Sequence, residues 1–428
     1  ANGVVRRLSD YGLRLMLAHK NGSPLPEYVH SAPVDAARSA EMVGVYENKG
    51  HETIRLTQRG KQLFLRKGAY RREIRQVGDL LVPDDVHGFG PSWEKADREH
   101  LVIEGEEYQR RGDALPPSVP DRWRGLIGEY GWDHNTLYIF EDRGQLHALI
   151  EWFYYYPLTE ISESEFAFPD YGLYHGERLK FDRGSDPLRR AVSVNAAEVV
   201  FERRSVGPED GATFRIEPLR PVPELLKEAQ EANPPPENGP FLRSELVDLV
   251  KLDKSISLDI RYASENNFMG AVFYAQPRAF MQRPAAEAVV KAHLALAPQG
   301  LGLLVHDAYR PWYVTKTFWD ATPGSMKDFV ANPDNGSRHN RGCAVDLTLY
   351  YLESGKPVKT VAGYDEFSQR SFPAYPGGTA RERWYRELLR ATMQDAGFTI
   401  YEYEWWHFDY KDWQRYEIGN RTFEQIDP

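Results

Sequence analysis

Residues 337–346 read SRHNRGCAVD, and residues 404–407 read EWWH. The first stretch contains His339 and Asp346, and the second ends in His407. Two imidazoles and one carboxylate form a three-ligand set that suits zinc and leaves a fourth position open for water. These two stretches predict a hydrolytic metal site and, around it, a fold that brings them together.

Glu404 lies three residues before His407 and is not needed as a ligand. A carboxylate in that place is where a hydrolytic site needs its proton acceptor. On a regular strand the side chains of Glu404 and His407 would lie on opposite faces, because successive residues alternate between the two faces. We therefore expect the chain to bulge or twist at Trp405 and Trp406.

Each proposed ligand also has an ordinary structural explanation. His407 beside two tryptophans suits a core histidine, His339 suits a turn, and Asp346 suits a buried carboxylate paired with an arginine. The other ten histidines, His306 among them, are interpreted as structural or surface residues. The metal site thus depends on whether the fold makes the three side chains converge.

The composition of the whole chain limits the classes of protein to which it can belong. With 428 residues, 41% of them hydrophobic and 27% charged, it is a globular protein of about three domains. No run of eighteen apolar residues predicts a membrane span. A net charge of -10 without a basic patch argues against a nucleic-acid partner. Cys343, the single cysteine, excludes an internal disulfide.

Two upstream segments, 39–114 and 121–217, look like copies of one unit. Arg-Gly turns at 59–60 and 143–144 recur at an offset of 84 residues. Short alternating segments around such turns are typical of antiparallel hairpins, and several in series predict a small β-barrel. The predicted strands are 53–57, 62–65, 137–140 and 146–150.

Prolines mark the boundaries between the domains. The stretch 115–120 reads LPPSVP, and the Pro-rich linker 218–240 contains a predicted short helix at 224–232. Residues 1–38 hold an amphipathic helix over 4–18 and a linker. That helix is either the remnant of a preceding domain or a helix that packs on the next one.

From 241 to 428 the pattern changes to mixed α and β, in a domain large enough for its own core. Gly397 is expected to end its last long helix. The predicted elements are strands at 301–305 and 343–349 and helices at 284–297 and 380–396.

Four motifs occur here in order: DIRYASENNFMG at 259–270, DAYRP at 307–311, S-x-H-x-x-G-x-A-x-D at 337–346 and EWWH at 404–407. Together they resemble the zinc D-alanyl-D-alanine dipeptidases of the vancomycin-resistance type, over roughly residues 241–420. Four ordered motifs are more specific than any one alone. The resemblance implies an α+β zinc peptidase domain with one Zn²⁺ per chain.

The resemblance also implies a role for each matching residue. His339, Asp346 and His407 would bind zinc. Glu404 would be the general base that takes a proton from the attacking water and passes it to the leaving amine. Arg310 would stabilise the developing oxyanion, its structural alternative being a buried salt bridge.

Three further residues match substrate-binding positions of the family. Tyr262 and Asp365 correspond to positions around the substrate's free ammonium, and Ser337 to one near its carboxylate. A core tyrosine, a loop carboxylate and a turn serine are the ordinary alternatives. Cys343 is interpreted as a small buried residue and not as a fourth ligand. The insertion-like stretch 322–336 is expected to shape the pocket.

The two predicted barrels resemble the lipocalin-like pair that follows the catalytic domain in some penicillin-recognising serine hydrolases. This implies an upstream serine hydrolase domain or chain. The S-x-x-K match at 92–95 has no K-T-G companion and is discounted.

Three functions remain open. The first is zinc-dependent hydrolysis of D-Ala-D-Ala or related cell-wall dipeptides. The second is a zinc D,D- or L,D-carboxypeptidase acting on longer peptidoglycan stems. The third is a non-catalytic peptide-binding module, against which the presence of Glu404 and Arg310 argues. A wall-derived substrate favours the periplasm over the cytoplasm.

Overall fold

The computed structural model describes residues 2–27, 30–50, 52–59, 61–67, 70–85, 88–89, 93–111, 115–142, 144–150, 154–185, 187, 189–208 and 211–427. Gly60 and Arg143 of the two predicted turns, and Ser92 of the discounted motif, lie outside these residues. The chain forms two compact units, Ala1–Leu115 and Pro116–Pro428.

The first unit is built mainly from one antiparallel sheet with the strand order β7-β6-β5-β4-β3-β2-β10-β9-β8, and β1 pairs with β5. The predicted hairpin strands are present, and the predicted N-terminal helix is α1. A core that includes Tyr46, Leu56 and Trp93 lies against the sheet. The elements are α1 (Asn2–Lys20), β1 (Ala32–Pro33), α2 (Ala36–Met42), β2 (Gly44–Asn48), β3 (Thr53–Arg59), β4 (Gln62–Lys67), β5 (Tyr70–Val77), β6 (Leu80–Asp85), β7 (Gly88–Phe89), β8 (Lys95–Ala96), β9 (His100–Ile103) and β10 (Glu106–Arg111).

The second unit begins with a further antiparallel region, here called the second β region (residues 116–204). Its sheets have the orders β11-β12-β13-β14 and β15-β16-β17-β18-β19, and a bridge between Tyr130 and Arg203 joins their outer edges. Antiparallel sheet is therefore confirmed in both upstream segments, whereas their lipocalin-like closure stays a prediction. The elements are α3 (Asp121–Arg124), β11 (Gly128–Trp132), β12 (Asn135–Asp142), β13 (Gln145–Ile150), β14 (Tyr154–Pro157), β15 (Thr159–Ser162), β16 (Glu165–Ala167), β17 (Arg178–Arg183), β18 (Ala191–Ala196) and β19 (Val199–Glu202).

The rest of the second unit is the predicted α+β domain, with a mixed sheet of order β21-β23-β24-β26-β25 at its centre. Strands β21 and β23 are parallel, and the other neighbours are antiparallel. The elements are α4 (Val222–Glu231), β20 (Leu246–Asp248), α5 (Leu249–Leu252), β21 (Ser257–Leu258), β22 (Phe280–Gln282), α6 (Arg283–Leu296), β23 (Leu301–Asp307), α7 (Trp312–Ala321), β24 (Ala344–Tyr351), α8 (Ala380–Asp395), β25 (Phe398–Ile400), β26 (His407–Tyr410) and α9 (Phe423–Ile426).

Strands β23 and β24 form the middle of this domain. Every residue of β23 and all but the last of β24 are buried, as their nearly continuous apolar sequences predict for strands covered on both faces. Helix α6 buries Ala285, Val289 and Leu296 in the same core. The central strands are therefore rigid supports for the side chains at their ends.

Two smaller expectations concern Cys343 and membrane crossing. Cys343 is fully buried just before β24, and burial raises the pKa of its thiol to about 12, so it remains protonated and a poor metal ligand. Among the residues that the structure describes, no helix combines the length and the apolar character needed to cross a bilayer.

Candidate metal centre and active site

Two paired strands and one tight turn bring the three predicted ligands together. Asp346 on β24 and His407, the first residue of β26, are direct partners in the antiparallel register. His339 begins a single 3-10 turn before β24, which Gly342 ends in the left-handed conformation with φ of 67°. That conformation favours glycine, because a Cβ there meets its own backbone.

The three ligand atoms form a nearly equilateral triangle. Nε2 of His339 lies 3.3 Å from Oδ1 of Asp346 and 3.1 Å from Nδ1 of His407. Nδ1 of His407 lies 3.2 Å from the same Asp346 oxygen. Ligands about 2.1 Å from a tetrahedral zinc are spaced by about 3.4 Å, so these atoms fit that ion.

Burial and hydrogen bonding support the same assignment. All three residues are buried. Oδ1 of Asp346 accepts no hydrogen bond from any residue in the described part of the chain. A buried carboxylate oxygen without a donor normally faces an ion or water.

The outer nitrogen of each histidine is held by an oxygen. Nδ1 of His339 donates to the carbonyl oxygen of Ala308 at 2.6 Å, and Nε2 of His407 donates to Oδ1 of Asp409 at 2.9 Å. These bonds leave the lone pairs of the inner nitrogens free to face a metal, as in most metal-binding histidines. The sequence analysis missed Asp409, although a carboxylate two residues after a strand histidine lies on the same face.

The second oxygen of Asp346 accepts a hydrogen bond from the hydroxyl of Tyr364 at 3.0 Å. Burial by itself would raise the pKa of Asp346. The adjacent imidazoles of His339 and His407 outweigh it and hold the pKa well below its ordinary value. Asp346 is therefore a carboxylate, the form that binds a cation.

Glu404 reaches the triangle because the chain is irregular before β26, as expected. Glu404 lies between two short turns, 402–403 and 405–406, and the amide of Trp405 donates to the carbonyl oxygen of Ser371. Oε2 of Glu404 lies 3.5 Å from Nδ1 of His407. Burial, with a contribution from Asp346, raises the pKa of Glu404 to about 7. A carboxyl group with that pKa can both accept and return a proton near neutrality.

The surroundings of Arg310 fit both interpretations of this residue, a buried salt bridge and a cation that stabilises an oxyanion. Its Nε donates to Oδ2 of Asp307 at 2.9 Å, a buried ion pair that the sequence analysis did not single out. Its Nη2 lies 3.6 Å from Oδ2 of Asp346, and the guanidinium lies over the rings of Tyr262 and Phe318. The ion pair therefore fixes a cation beside the metal ligands.

Tyr262 and Asp365 form a buried pair 103 residues apart in sequence. The tyrosine hydroxyl lies 2.9 Å from Oδ2 and 3.1 Å from Oδ1 of Asp365. Asp365 has a φ of 58°, which is uncommon for a residue with a side chain. Burial, reinforced by the charge of Asp346, raises the pKa of Asp365 well above its ordinary value.

One cavity of about 100 Å³ is lined by all eight residues singled out from the sequence. Ser337 lies at its edge, where its hydroxyl accepts a hydrogen bond from the amide of His339 at 3.2 Å. The stretch 322–336 contributes Phe329, whose ring stacks on that of Phe367 at 5.0 Å. The eight residues are His339, Asp346, His407, Glu404, Arg310, Tyr262, Asp365 and Ser337.

A larger cavity of about 360 Å³ lies on the second β region, where Arg183 and Arg189 are among its lining residues. Its described lining residues include no histidine or cysteine, and their carboxylates are paired with arginines. The smaller cavity is therefore the candidate active site.

Comparisons with known proteins agree with this geometry. Residues 243–426 match the family described as D-ala-D-ala dipeptidase. A D-alanyl-D-alanine dipeptidase of Escherichia coli K12 is 35% identical over 166 residues, which cover 39% of this chain and 84% of that protein. One from Enterococcus faecium is 34% identical over 172 residues, covering 36% and 85%. One from Enterococcus faecalis V583 is 31% identical over 193 residues, covering 40% and 91%.

These matches span most of each relative but only the last two fifths of this chain, which is the part that contains the cavity. The upstream β regions lie outside the match. The chain therefore belongs, through its C-terminal domain, to the D-alanyl-D-alanine dipeptidase family of metallopeptidases.

Proposed function

We propose that this protein is a zinc-dependent dipeptidase that hydrolyses D-Ala-D-Ala or a closely related free dipeptide. The observation that carries the proposal is the buried Tyr262–Asp365 pair in the same small cavity as the metal triangle and Glu404. A hydrolytic centre next to a buried carboxyl group that lacks a cationic partner of its own suits a short substrate with a free ammonium group.

The proposed reaction adds one water molecule across the peptide bond and releases two amino acids. A zinc ion held by His339, Asp346 and His407 would supply Lewis-acid chemistry that makes water nucleophilic near neutral pH. Glu404 accepts a proton from that water and delivers it to the nitrogen of the departing amino acid. The guanidinium of Arg310 stabilises the negative charge that develops on the carbonyl oxygen.

Asp365 supports the preference for a free ammonium. Its carboxyl group is buried, and the nearby guanidinium of Arg310 is already paired with Asp307. A substrate ammonium beside Asp365 and Tyr262 would supply the missing cation. An acylated dipeptide would leave that carboxyl group without its partner, which costs kilocalories and restricts the enzyme to dipeptides.

The proposal is tested by measuring amine release from D-Ala-D-Ala, L-Ala-L-Ala and N-acetyl-D-Ala-D-Ala, before and after chelation. We expect cleavage of free D-Ala-D-Ala only, abolished by the chelator and restored by zinc. Asp365→Asn should raise KM for D-Ala-D-Ala by about tenfold or more, since it removes the charged partner of the ammonium.

Other results would point to the alternatives. Equal cleavage of the acetylated substrate would identify a carboxypeptidase of longer peptidoglycan stems. Absence of cleavage of any peptide, with zinc bound in full, would favour a peptide-binding module.

The remaining expectations from the sequence join the proposal. We expect the protein to lie in the periplasm, where wall dipeptides are released. We also expect the two upstream segments to be lipocalin-like barrels and a serine hydrolase domain or chain to be a partner. Cell fractionation tests the compartment, and co-purification from the native cell tests the partner.

A further inference from the structure

The second β region and the catalytic domain share one compact unit, and the segment that joins them lies across the catalytic domain. This segment, residues 205–219, is called the strap; its residues 209 and 210 lie outside the described structure. The amide of Ile216 donates to the carbonyl oxygen of Phe268, and the amide of Leu219 to that of Ala321. The C-terminal part of the strap is therefore hydrogen-bonded to the catalytic domain.

Two residues of the strap, Phe214 and Ile216, contact residues that line the cavity. The ring of Phe214 packs on that of Phe367 at 5.4 Å, and Phe367 in turn contacts Phe268 at 4.9 Å. Phe268 and Phe367 both line the cavity. The strap therefore supports the aromatic wall beside Asp365.

A further contact links the strap, through Arg370, to the residue after Asp365. Glu366 is 1% exposed, and its two carboxylate oxygens accept hydrogen bonds from Nε and Nη2 of Arg370, both at 2.7 Å. Nη2 of Arg370 also donates to the carbonyl oxygen of Pro208 in the strap at 3.0 Å. One guanidinium thus ties the loop 363–371, called the ammonium loop, to the strap.

There is no room for a side chain at Gly207. A Cβ built on Gly207 would lie 2.4 Å from Oε1 of Glu366. The Glu366 side chain cannot simply swing away, because both of its oxygens are bonded to Arg370 inside the protein. A methyl group at Gly207 would therefore displace Glu366 and, with it, the neighbouring Asp365.

The face of the second β region holds the chain that follows the ammonium loop. Glu129 on β11, which is paired with Arg204, accepts a hydrogen bond from the hydroxyl of Tyr375 at 2.8 Å. Glu141 on β12 accepts one at 2.8 Å from the amide of Ala380, the first residue of α8. The strap thus contacts the ammonium loop itself, and this β face holds the chain that follows it.

We propose that the second β region, together with the strap that continues it, is a positioning element for substrate recognition. Gly207 and Pro208 of the strap act through Glu366 and Arg370 to hold Asp365 where the substrate ammonium binds. This inference rests on the proposed function for the role of Asp365. It gives the β region a part in the dipeptidase reaction although it contributes no residue to the cavity. Such positioning matters because a misplacement of about 1 Å can cost a large factor in activity.

The test is Gly207→Ala, with Gly12→Ala in α1 as the control, because a Cβ at Gly12 meets nothing within 4 Å. Two constants are compared in the zinc-loaded full chain: KM for D-Ala-D-Ala and the inhibition constant of propionyl-D-alanine, the same skeleton without the amine. Gly207→Ala should raise KM for D-Ala-D-Ala about tenfold, since the ammonium contact is displaced. It should leave the inhibition constant of propionyl-D-alanine within about twofold, because that ligand makes no such contact. Gly12→Ala should change neither.

Amide hydrogen exchange of residues 363–371 gives a readout that does not depend on substrate. It should become faster in Gly207→Ala, with zinc content unchanged. Equal weakening of both ligands, or no change in either, would overturn the inference. If the wild-type protein binds D-Ala-D-Ala and propionyl-D-alanine equally well, the proposed ammonium site is wrong. Unchanged amide exchange in Gly207→Ala would overturn the positioning role as well.

Tyr375→Phe provides a second variant if Gly207→Ala does not fold. It removes the hydroxyl bonded to Glu129 on the β face, far from the metal ligands in sequence. The same selective rise in KM supports the inference, and unaltered KM together with unaltered exchange contradicts it.

Discussion

Nε2 of His407 lies 2.9 Å from Oδ1 of Asp409, two residues further along β26. This bond turns the opposite nitrogen of the ring toward Asp346 and fixes the tautomer that a metal requires. The second carboxylate oxygen of Asp409 lies 3.5 Å from Nε of Arg338, which holds the acid in place. A residue outside the ligand set therefore determines how one ligand faces the metal.

Asp409→Ala should weaken zinc binding by roughly 10- to 100-fold, because His407 loses the acceptor that orients its ring. Competition with a fluorescent chelator measures the affinity. Asp409→Asn is the matched control, since its amide oxygen can still accept the same hydrogen bond, and we expect a smaller loss. Equal zinc affinity in the wild type and Asp409→Ala would contradict this role.

Glu404→Gln should lower kcat by roughly 10²- to 10⁴-fold, because the amide cannot accept a proton from water. Zinc content should stay at one ion per chain, since Glu404 is not one of the three ligands. Amine release and metal analysis on the same sample check both statements. Full hydrolysis by the variant with zinc bound would show that Glu404 is not the general base.

Removal of zinc should lower the thermal midpoint as well as the activity. A ligand that binds only the folded state adds about 4 kcal/mol when its free concentration is a thousand times Kd. Differential scanning fluorimetry with and without chelator measures the shift. In His407→Ala, which lacks one ligand, the chelator should have little effect, and an undiminished shift there would place the metal elsewhere.

His293 should make the protein less stable in mild acid. Its Nδ1 accepts a hydrogen bond from the amide of Leu303 and its Nε2 faces the hydroxyl of Ser255, both at 3.0 Å, an arrangement that requires the neutral ring. Burial lowers the pKa of His293, and Asp253 opposes this only in part. The unfolded chain therefore binds more protons as pH falls below about 6.5, and stability is lost in that direction.

His293→Gln removes this titration while keeping a side-chain oxygen that can accept from Leu303. Denaturant midpoints at pH 7.5 and pH 5.5 should differ less in this variant than in the wild type. Replacement of the exposed His175 by glutamine serves as the control. An identical pH dependence in wild type and His293→Gln would rule out the role of His293.

Much of the fold and site could be predicted because the signals are local. The apolar runs at 301–305 and 343–349 predicted the two central strands, and the motifs around His339 and Glu404 predicted which side chains carry the chemistry. Asp307, although it begins the motif DAYRP, and Asp409 were given no role, because a single carboxylate has no distinctive pattern. Their roles depend on which atoms face them after folding.

The sequence by itself determined the strand and helix positions of the catalytic domain and predicted the ligand types and the general base, since these follow from residue chemistry and periodicity over short stretches. The tertiary structure alone decided that Tyr262 meets Asp365 across 103 residues and that Glu366 meets Gly207. It also decided which nitrogen of each histidine faces Asp346. Contacts between distant segments arise from packing of the whole unit, which no local pattern records.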